Sequence, residues 1–214
     1  MLVIFDCDGV LVDSEPIAAR VTNHYLCELG HPGVDVANER FVGLRLDSMR
    51  KIIEADTGVP LPDNFENELR RRDAIAFEND LQPIAGIADV LTALRAPRCV
   101  ASSGSQKKIR NSLTLTGLLE YFDPHLFSAQ DPHIVHGKPA PDLFLHVAKS
   151  MGAEPLACVV IEDAVPGVQA GKAAGMRVLG FMGGGHCGPG HDAKLIDAGA
   201  DKVFDDMSKL LDLI

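Results

Sequence analysis

The sequence lacks long hydrophobic segments, paired cysteine motifs and an excess of basic residues, and each absence narrows the possible functions. No apolar run approaches the roughly 18–20 residues that cross a bilayer, which argues against a membrane protein. The 5 cysteines include no Cys-x-x-Cys pair, so neither a disulfide framework nor a cysteine zinc site is indicated. Only 20 lysine and arginine residues stand against 30 acidic residues, and the formal charge of -10 argues against nucleic acid as a partner.

The remaining composition is typical of a folded protein with one good-sized domain, or a core domain with a small insert. The 214 residues are 46% hydrophobic and 23% charged. The chain enters a strand-like run at once, without the charged and hydrophobic pattern of a signal peptide, which favours a cytoplasmic location. Nothing in the acidic composition signals self-association, so we expect a monomer.

Short apolar runs alternate with helical patterns along most of the chain. The predicted buried strands are residues 2–5, 98–101, 126–128, 158–161, 177–181 and 202–204. The helical patterns between them cover residues 86–95, 105–116, 141–152, 165–175 and 192–198. This alternation predicts βαβ units and therefore an α/β fold, with a Rossmann-like parallel sheet as the middle of three layers.

The segment 15–81 breaks the alternation, because it contains helical patterns and no convincing strand. Within it, Asp63 and Glu66 resemble a capping box at the start of a helix. Glu66 and Arg70 stand four residues apart, which predicts an ion pair on that helix. We therefore predict two domains, namely an α/β core of residues 1–14 and 82–214 and a helical insert of residues 15–81.

The segment Asp6-Cys7-Asp8-Gly9 carries the strongest chemical signal, directly after the first predicted strand. Sites in open α/β sheets form outside the carboxyl ends of the strands. Two carboxylates at spacing two can leave a strand on the same side, and Gly9 permits the sharp turn that aims them at one point. One carboxylate can attack an electrophile while the other moves protons, provided that a metal screens their repulsion.

Polar residues also follow other predicted strands or lie in adjoining loops. Glu162 and Asp163 would add hard oxygen ligands, which suits Mg²⁺ rather than zinc. Lys138, in a Gly-Lys-Pro loop, could hold a phosphate oxygen beside the nucleophile, and the Ser102 hydroxyl could bind another. A serine after a strand is also a common helix cap, although Ser105 could be the cap instead.

The order of these motifs resembles that of the haloacid dehalogenase-like hydrolase superfamily, and the resemblance covers the whole chain. The motifs are residues 6–15, Ser102, residues 137–142 and residues 161–163, and the helical insert looks like the family's type 1 cap. The resemblance implies that Asp6 is a nucleophile that forms an aspartyl-phosphate, and that Asp8 is the general acid and then the base. It also implies that Ser102 and Lys138 bind the phosphoryl group. The implied Mg²⁺ ligands are Asp6, Asp8, Glu162 and Asp163.

The long first motif and the Gly-Lys-Pro-x-Pro-Asp-x-Phe pattern resemble the branch that contains β-phosphoglucomutase and small sugar-phosphate phosphatases. In the mutase a cap histidine follows five residues after the aspartate of an Asp-Ser/Thr pair, whereas counting from Asp13 reaches Ala18 here. The resemblance therefore implies a Mg²⁺-dependent phosphatase for a small phosphate monoester, such as a sugar, sugar-acid or related metabolite phosphate. Phosphoglucomutase-like phosphoryl transfer and a non-catalytic binding module are the alternatives.

The insert is expected to select the substrate. Residues 41–45 resemble the branch's specificity loop, in which Gly43 would form a turn and Arg45 would reach a second anionic or hydroxylated group. Plain surface charge is an equal alternative for Arg45. The basic triplet 70–72 is expected to form a solvated helix face.

The glycine-rich segment 183–190 is not a P-loop, because no Gly-Lys-Ser/Thr ends it. It contains His186 and Cys187, and His191 follows it. These side chains could bind a soft metal, but their spacing matches no standard zinc site, which argues against that interpretation.

Overall fold

The computed structural model describes residues 1–37, 41 and 46–214 of the chain. The chain divides into two compact units, one formed by Met1–Asp13 with Gln82–Ile214 and the other by Ser14–Leu81. Ser14, which we assigned to the core from the sequence, falls in the second unit. No helix among the described residues combines the length and the apolar character that crossing a membrane requires.

The larger unit contains a six-stranded sheet in which every neighbouring pair of strands is parallel. Its strands are β1 (Leu2–Phe5), β2 (Arg98–Ser102), β3 (Leu126–Ser128), β4 (Cys158–Glu162), β5 (Arg177–Phe181) and β6 (Lys202–Phe204). Their spatial order is β3-β2-β1-β4-β5-β6, which confirms the predicted Rossmann-like α/β fold. The order reverses between β1 and β4, and ligands of such sheets bind at the carboxyl ends of the strands at this point.

Helices cover the sheet because its strands are apolar on both faces. The helices of this unit are α4 (Ile87–Ala93), α5 (Gln106–Leu115), α6 (Asp142–Ser150), α7 (Val165–Ala173), α8 (His191–Asp197) and α9 (Leu210–Leu213). Ile4 of β1 and Val160 of β4 share a fully buried core with Phe144 of α6, Val168 of α7 and Leu195 of α8. Phe5 alternates to the opposite face, where its ring packs edge-on against Phe122 at 5.7 Å. Burial of each large side chain of this kind contributes about 1.5–3 kcal/mol.

The smaller unit is helical, with α1 (Glu15–Glu28), α2 (Leu46–Thr57) and α3 (Phe65–Asp80). Pro16 lies in the first turn of α1, where its missing N–H costs no hydrogen bond. The Tyr25 ring of α1 stacks on Phe65 of α3 at 5.5 Å, and Leu26, Ile53 and Leu69 are buried beside them. These residues form a small core that belongs to the unit itself.

Two details of the smaller unit differ from the sequence-based predictions. Helix α3 begins at Phe65 after Asn64, and the Asn64 side chain makes no capping hydrogen bond, so the predicted capping box of Asp63 and Glu66 is wrong. Glu66 pairs with Arg50 of α2 at 3.3 Å rather than with Arg70. A tertiary partner on another helix thus replaces the local pair that the four-residue spacing predicted.

Candidate active site

The loop after β1 is folded tightly at the carboxyl end of the sheet. The Asp6 N–H donates to the Ile161 carbonyl at 3.0 Å, which continues the pairing of β1 with β4. Gly9 then adopts a left-handed conformation with φ of 79°. A Cβ at this position would lie only 1.9 Å from Asp163 Oδ2, so Gly9 is required both for its backbone angle and for the close approach of Asp163.

Lys138 joins two carboxylates that come from different strands. Its Nζ lies 2.5 Å from Asp6 Oδ1 and 2.5 Å from Glu162 Oε1, and it also donates to the Ala101 carbonyl at 3.1 Å. The Lys138 side chain is only 6% exposed, so these contacts form away from water. We call Asp6, Lys138, Glu162 and Asp163 the carboxylate–lysine cluster, and sequence reasoning had named every member.

The electrostatics of this cluster favour the binding of a cation. Burial raises the pKa of Asp6 well above its usual value, and Lys138 opposes this effect while Glu162 and Asp163 reinforce it. Burial likewise raises the pKa of Glu162, again against the influence of Lys138. Burial would lower the pKa of Lys138, but Asp6 and Glu162 raise it above its usual value. Lys138 and His186 together face the buried carboxylates of Asp6, Glu162 and Asp163, and a metal ion can stabilise the negative charge that remains.

The donor atoms fit a hard divalent cation. Carboxylate oxygens of Asp6, Glu162 and Asp163 lie within 4.8 Å of one another, and all of these residues are buried. Mg²⁺ is bound in proteins mainly by such oxygens, together with water and phosphate. The residues present therefore fit the metal that the sequence motifs suggested.

Glu162 is fixed by its neighbours on every side. Its Oε2 accepts hydrogen bonds from the backbone N–H groups of Asp163 at 3.1 Å and Ala164 at 3.2 Å. A Cβ at Gly167 of α7 would lie 1.8 Å from Glu162 Oε1, so only glycine leaves room for this carboxylate. With both oxygens engaged, Glu162 holds Lys138 in place.

Ser102 ends β2 and is almost completely buried. Its Oγ accepts a hydrogen bond from the Gly104 N–H at 3.0 Å. The cap of α5 is Ser105, whose side chain accepts from the Lys108 N–H, so Ser102 is not the helix cap. Its hydroxyl instead forms a local turn with Gly104 at the carboxyl end of β2.

Lys108 is a site residue that sequence reasoning missed. Its Nζ donates to Asp8 Oδ2 at 2.8 Å from the first turn of α5. The available signal was its position three residues after the Ser105 cap, because the start of α5 lies at the same sheet edge as Asp8. That signal is weak without a structure, because the adjacent Lys107 also lies at the start of the same helix.

The segment 183–187 also reaches the site. His186 Nε2 lies 3.0 Å from Asp163 Oδ2, and the Gly185 N–H donates to Asp13 Oδ1 at 2.9 Å. Burial opposes the charged imidazolium, but hydrogen bonds to Asp163 and Cys187 outweigh burial and raise the pKa of His186 to about 11. Sequence reasoning weighed His186 only as a soft-metal ligand with Cys187 and His191, because its approach to Asp163 depends on how this loop folds back.

The predicted substrate-selecting residues Gly43 and Arg45 lie outside the described residues. In the basic triplet, Arg71 pairs with Glu68 on the solvent side of α3. Arg72 also pairs with Glu68 and reaches Glu28 of α1, and its guanidinium lies 4.1 Å from the centre of the Tyr25 ring. Arg71 thus follows the predicted solvated face, whereas Arg72 helps to join α1 to α3.

Comparisons with known proteins show what the whole chain is similar to. The family model described as haloacid dehalogenase-like hydrolase matches residues 1–175, which include the whole carboxylate–lysine cluster. The chain is 36% identical over 192 residues to the 6-phosphogluconate phosphatase of Escherichia coli (strain K12), covering 87% of this chain and 85% of that protein. It is 34% identical over 182 residues to the fructose-1-phosphate phosphatase YqaB of the same strain, covering 82% of this chain and 93% of that protein. A solved haloacid dehalogenase-like protein from Agrobacterium tumefaciens str. C58 superimposes with a TM-score of 0.91 at 41% identity, covering 99% of this chain and 96% of that one.

Proposed function

This chain belongs to the haloacid dehalogenase-like hydrolase family and is a phosphoric monoester hydrolase, and we propose that it is Mg²⁺-dependent and works through an aspartyl-phosphate on Asp6. The observation that carries the proposal is the buried carboxylate–lysine cluster at the carboxyl ends of β1 and β4. Phosphate monoesters hydrolyse extremely slowly without catalysis, so a covalent step in a buried, charged site is a reasonable requirement.

Asp6 is the proposed nucleophile. An attacking carboxylate must be ionised, and burial alone would favour its protonated form. Lys138 offsets part of this penalty, and its contact with Oδ1 also fixes the orientation of the carboxylate. In the first step a carboxylate oxygen of Asp6 attacks phosphorus, the bond from phosphorus to the ester oxygen breaks, and an acyl phosphate forms.

Asp8 is the proposed proton donor and acceptor. It would protonate the departing ester oxygen in the first step and take a proton from water in the second, when that water attacks phosphorus and regenerates Asp6. Lys108 donates to Asp8 Oδ2 at 2.8 Å and so fixes the orientation of this side chain. We propose Lys108 as a positioning residue for the proton transfers.

The transferred phosphoryl group carries negative charge on its outer oxygens, which requires donors and cations around it. Lys138 supplies a positive charge, and Ser102 supplies a hydroxyl at the end of β2. We propose that these two side chains bind the phosphoryl oxygens. Donors placed where charge develops stabilise the transition state more than the ground state.

Asp6, Asp163 and the backbone carbonyl of Asp8 would hold Mg²⁺, and Glu162 would add negative charge and a further oxygen donor. When bound, the metal ion screens the carboxylates and neutralises charge on the phosphoryl group. Asp163 is held towards this position by His186, which contacts its Oδ2 at 3.0 Å.

The proposed substrate is a small phosphorylated sugar or sugar acid. The names of the relatives, 6-phosphogluconate phosphatase and fructose-1-phosphate phosphatase, support this class. We propose that Gly43 and Arg45 contribute to substrate selection. If they do, Arg45→Ala will change the ranking of substrates while hydrolysis of the generic substrate p-nitrophenyl phosphate persists.

The proposal is tested by measuring phosphate release from a panel that includes sugar phosphates, 6-phosphogluconate, phosphoglycolate and nucleotides. We expect release by the wild type with Mg²⁺, and loss of release in Asp6→Asn and after EDTA treatment. Asp212→Asn is the matched control, because Asp212 is an exposed aspartate near the end of the chain. Activity that persists in Asp6→Asn would overturn the covalent mechanism, and activity that persists in EDTA would overturn the metal requirement.

A further inference from the structure

The loop between β5 and α8 brings together side chains that the sequence spacing did not connect. A nitrogen or sulfur atom from each of His186, Cys187 and His191 lies within 4.8 Å of the others. The Cys187 Sγ lies 3.4 Å from His186 Nε2 and 4.0 Å from its Nδ1. These are nitrogen and sulfur donors, in contrast to the oxygen donors of the carboxylate–lysine cluster.

Asp163 orients both imidazole rings. His191 Nε2 lies 2.6 Å from the Asp163 carbonyl, which can only accept, so this nitrogen carries the proton and Nδ1 carries the lone pair. His186 Nε2 faces the Asp163 carboxylate at 3.0 Å, so its Nδ1 would be the ligand atom once metal binding has displaced the proton that the charged ring carries there. A histidine that ligates a metal commonly donates its second N–H to a carboxylate or a backbone carbonyl, and both arrangements occur here.

The donor atoms are spaced slightly more widely than in a tetrahedral site. Bonds of about 2.0–2.1 Å to nitrogen and about 2.3 Å to sulfur place neighbouring N and S ligands roughly 3.5 Å apart. The Sγ to Nδ1 distance at His186 is 4.0 Å, and the ligand atoms of all three residues lie within 4.8 Å of one another. Backbone hydrogen bonds of Cys187 N–H to the Gly184 carbonyl and of His191 N–H to the Gly188 carbonyl hold the loop in this shape.

The position of the Cys187 thiol also suits a metal ligand. The Cys187 Sγ lies against the His186 ring, 3.4 Å from its Nε2. The thiolate is the form that binds metals. Cys187 is partly exposed, which leaves one side of the trio open to solvent for the entry of an ion.

We propose that His186, Cys187 and His191 form a second metal site, which binds a zinc-type divalent cation through two imidazole nitrogens and one thiolate. Nitrogen and sulfur ligands select zinc-type ions, whereas the carboxylate oxygens next to them suit Mg²⁺. Asp163 takes part in both proposed metal sites, because it is a proposed Mg²⁺ ligand and also the hydrogen-bond partner of both histidines. The two sites would therefore share one positioning residue.

The test uses Co²⁺ as a spectroscopic substitute for zinc, added to the full chain in excess Mg²⁺. We expect one Co²⁺ per chain with a near-ultraviolet thiolate-to-cobalt charge-transfer band, which oxygen ligands cannot produce. The band should disappear in Cys187→Ser and weaken at least about tenfold in apparent affinity in His191→Asn. It should persist in Cys27→Ser, because Cys27 is an exposed cysteine of the other unit. Absence of the band, or its survival in Cys187→Ser, overturns the proposal.

A second measurement needs no variant and so does not depend on the folding of a mutant. The wild-type protein is alkylated with iodoacetamide, with and without Zn²⁺, and the modification of each cysteine is followed by peptide mass spectrometry. We expect saturating Zn²⁺ to slow alkylation of Cys187 by about tenfold or more while that of Cys27 is unchanged, because a metal-bound thiolate is shielded from the reagent. Equal rates at Cys187 with and without Zn²⁺ would reject the site.

Discussion

Lys108 Nζ contacts Asp8 Oδ2 at 2.8 Å, although 100 residues separate them in the sequence. Asp8 lies in the loop after β1, and Lys108 reaches it from α5. The side chain of Asp8 is 18% exposed and that of Lys108 41%, so the pair lies at the edge of the buried cluster rather than inside it. This position suits Lys108 as a positioning residue, because Asp8, the proposed proton-transfer group, must also contact the substrate.

Replacing Lys108 with methionine should reduce kcat because it removes the contact that orients Asp8. We expect a loss of about 10- to 100-fold, since a positioned general acid and base contributes about 10²- to 10⁴-fold in total. Lys107→Met is the control, because Lys107 is the exposed neighbour on the same helix. Steady-state kinetics of both variants check the prediction, and an unchanged kcat in Lys108→Met would contradict it.

The contact between Gly167 and Glu162 gives a second prediction. A Cβ at Gly167 would lie 1.8 Å from Glu162 Oε1, so Gly167→Ala must displace this carboxylate and disturb Lys138, which it holds. We expect destabilisation of about 1–3 kcal/mol from overpacking, together with a clear loss of kcat.

Gly171→Ala is the matched control for that experiment. Gly171 lies one turn further along α7, and its added Cβ would meet Val178 Cγ2 at 2.7 Å, away from the carboxylate–lysine cluster. This variant should also lose stability but should keep its kcat per folded molecule. Urea unfolding and kinetics measured on both variants separate the two effects, and equal kcat values for the two would count against the role of Glu162.

Much of the larger unit was predictable because its signals are local. The apolar run of β1 followed by Asp6 and Asp8, and the apolar run of β4 followed by Asp163, each indicate a buried strand that ends in carboxylates. A parallel sheet places such strand ends at one edge, so the cluster follows from the pattern. Lys138 was a candidate from its Gly-Lys-Pro loop, and the resemblance to a known family implied the same role, but its joint contact with Asp6 and Glu162 has no local signal.

The contacts that sequence reasoning missed depend on tertiary packing. His186 meets Asp163 only because the glycine-rich loop folds against Gly9, where a Cβ would come within 2.9 Å of the His186 ring. Glu66 pairs with Arg50 across two helices instead of within one. In both cases the partner lies far away in sequence, and spacing rules describe only neighbours on a single helix or strand.

Mg²⁺ should stabilise the protein as well as activate it. Binding to the folded state at about 100 times Kd adds roughly 2.7 kcal/mol, which for a chain of this size raises Tm by roughly 5–10 °C. Asp163→Asn should remove most of this increase, because it removes a charged oxygen from the buried cluster. Calorimetry with Mg²⁺ and with EDTA measures the shift. Asp212→Asn, the exposed control, should retain it, and an equal shift in Asp163→Asn would exclude Asp163 as a ligand.

Acid should weaken the helical unit partly through Glu68. Hydrogen bonds from Arg71 and then Arg72 lower the pKa of Glu68 to about 2. A carboxyl whose pKa is lower in the folded state stabilises the fold above its unfolded pKa, and this contribution is lost as pH falls from about 4.5 towards 2. The stability difference between wild type and Glu68→Gln should therefore be larger at about pH 6 than at about pH 3, and it should shrink in high salt.

The control for this pH dependence is Glu78→Gln, on the exposed surface near the end of the same helix. Urea-unfolding midpoints of all three proteins at both pH values are the measurement. Glu78→Gln should follow the wild type at each pH, because none of the arginines that the structure describes pairs with this carboxylate as Arg71 and Arg72 do with Glu68. If the stability difference between wild type and Glu68→Gln grew on acidification, its pH dependence would have the opposite sign to the one expected. The acid sensitivity of this unit would then be assigned to other carboxyl groups.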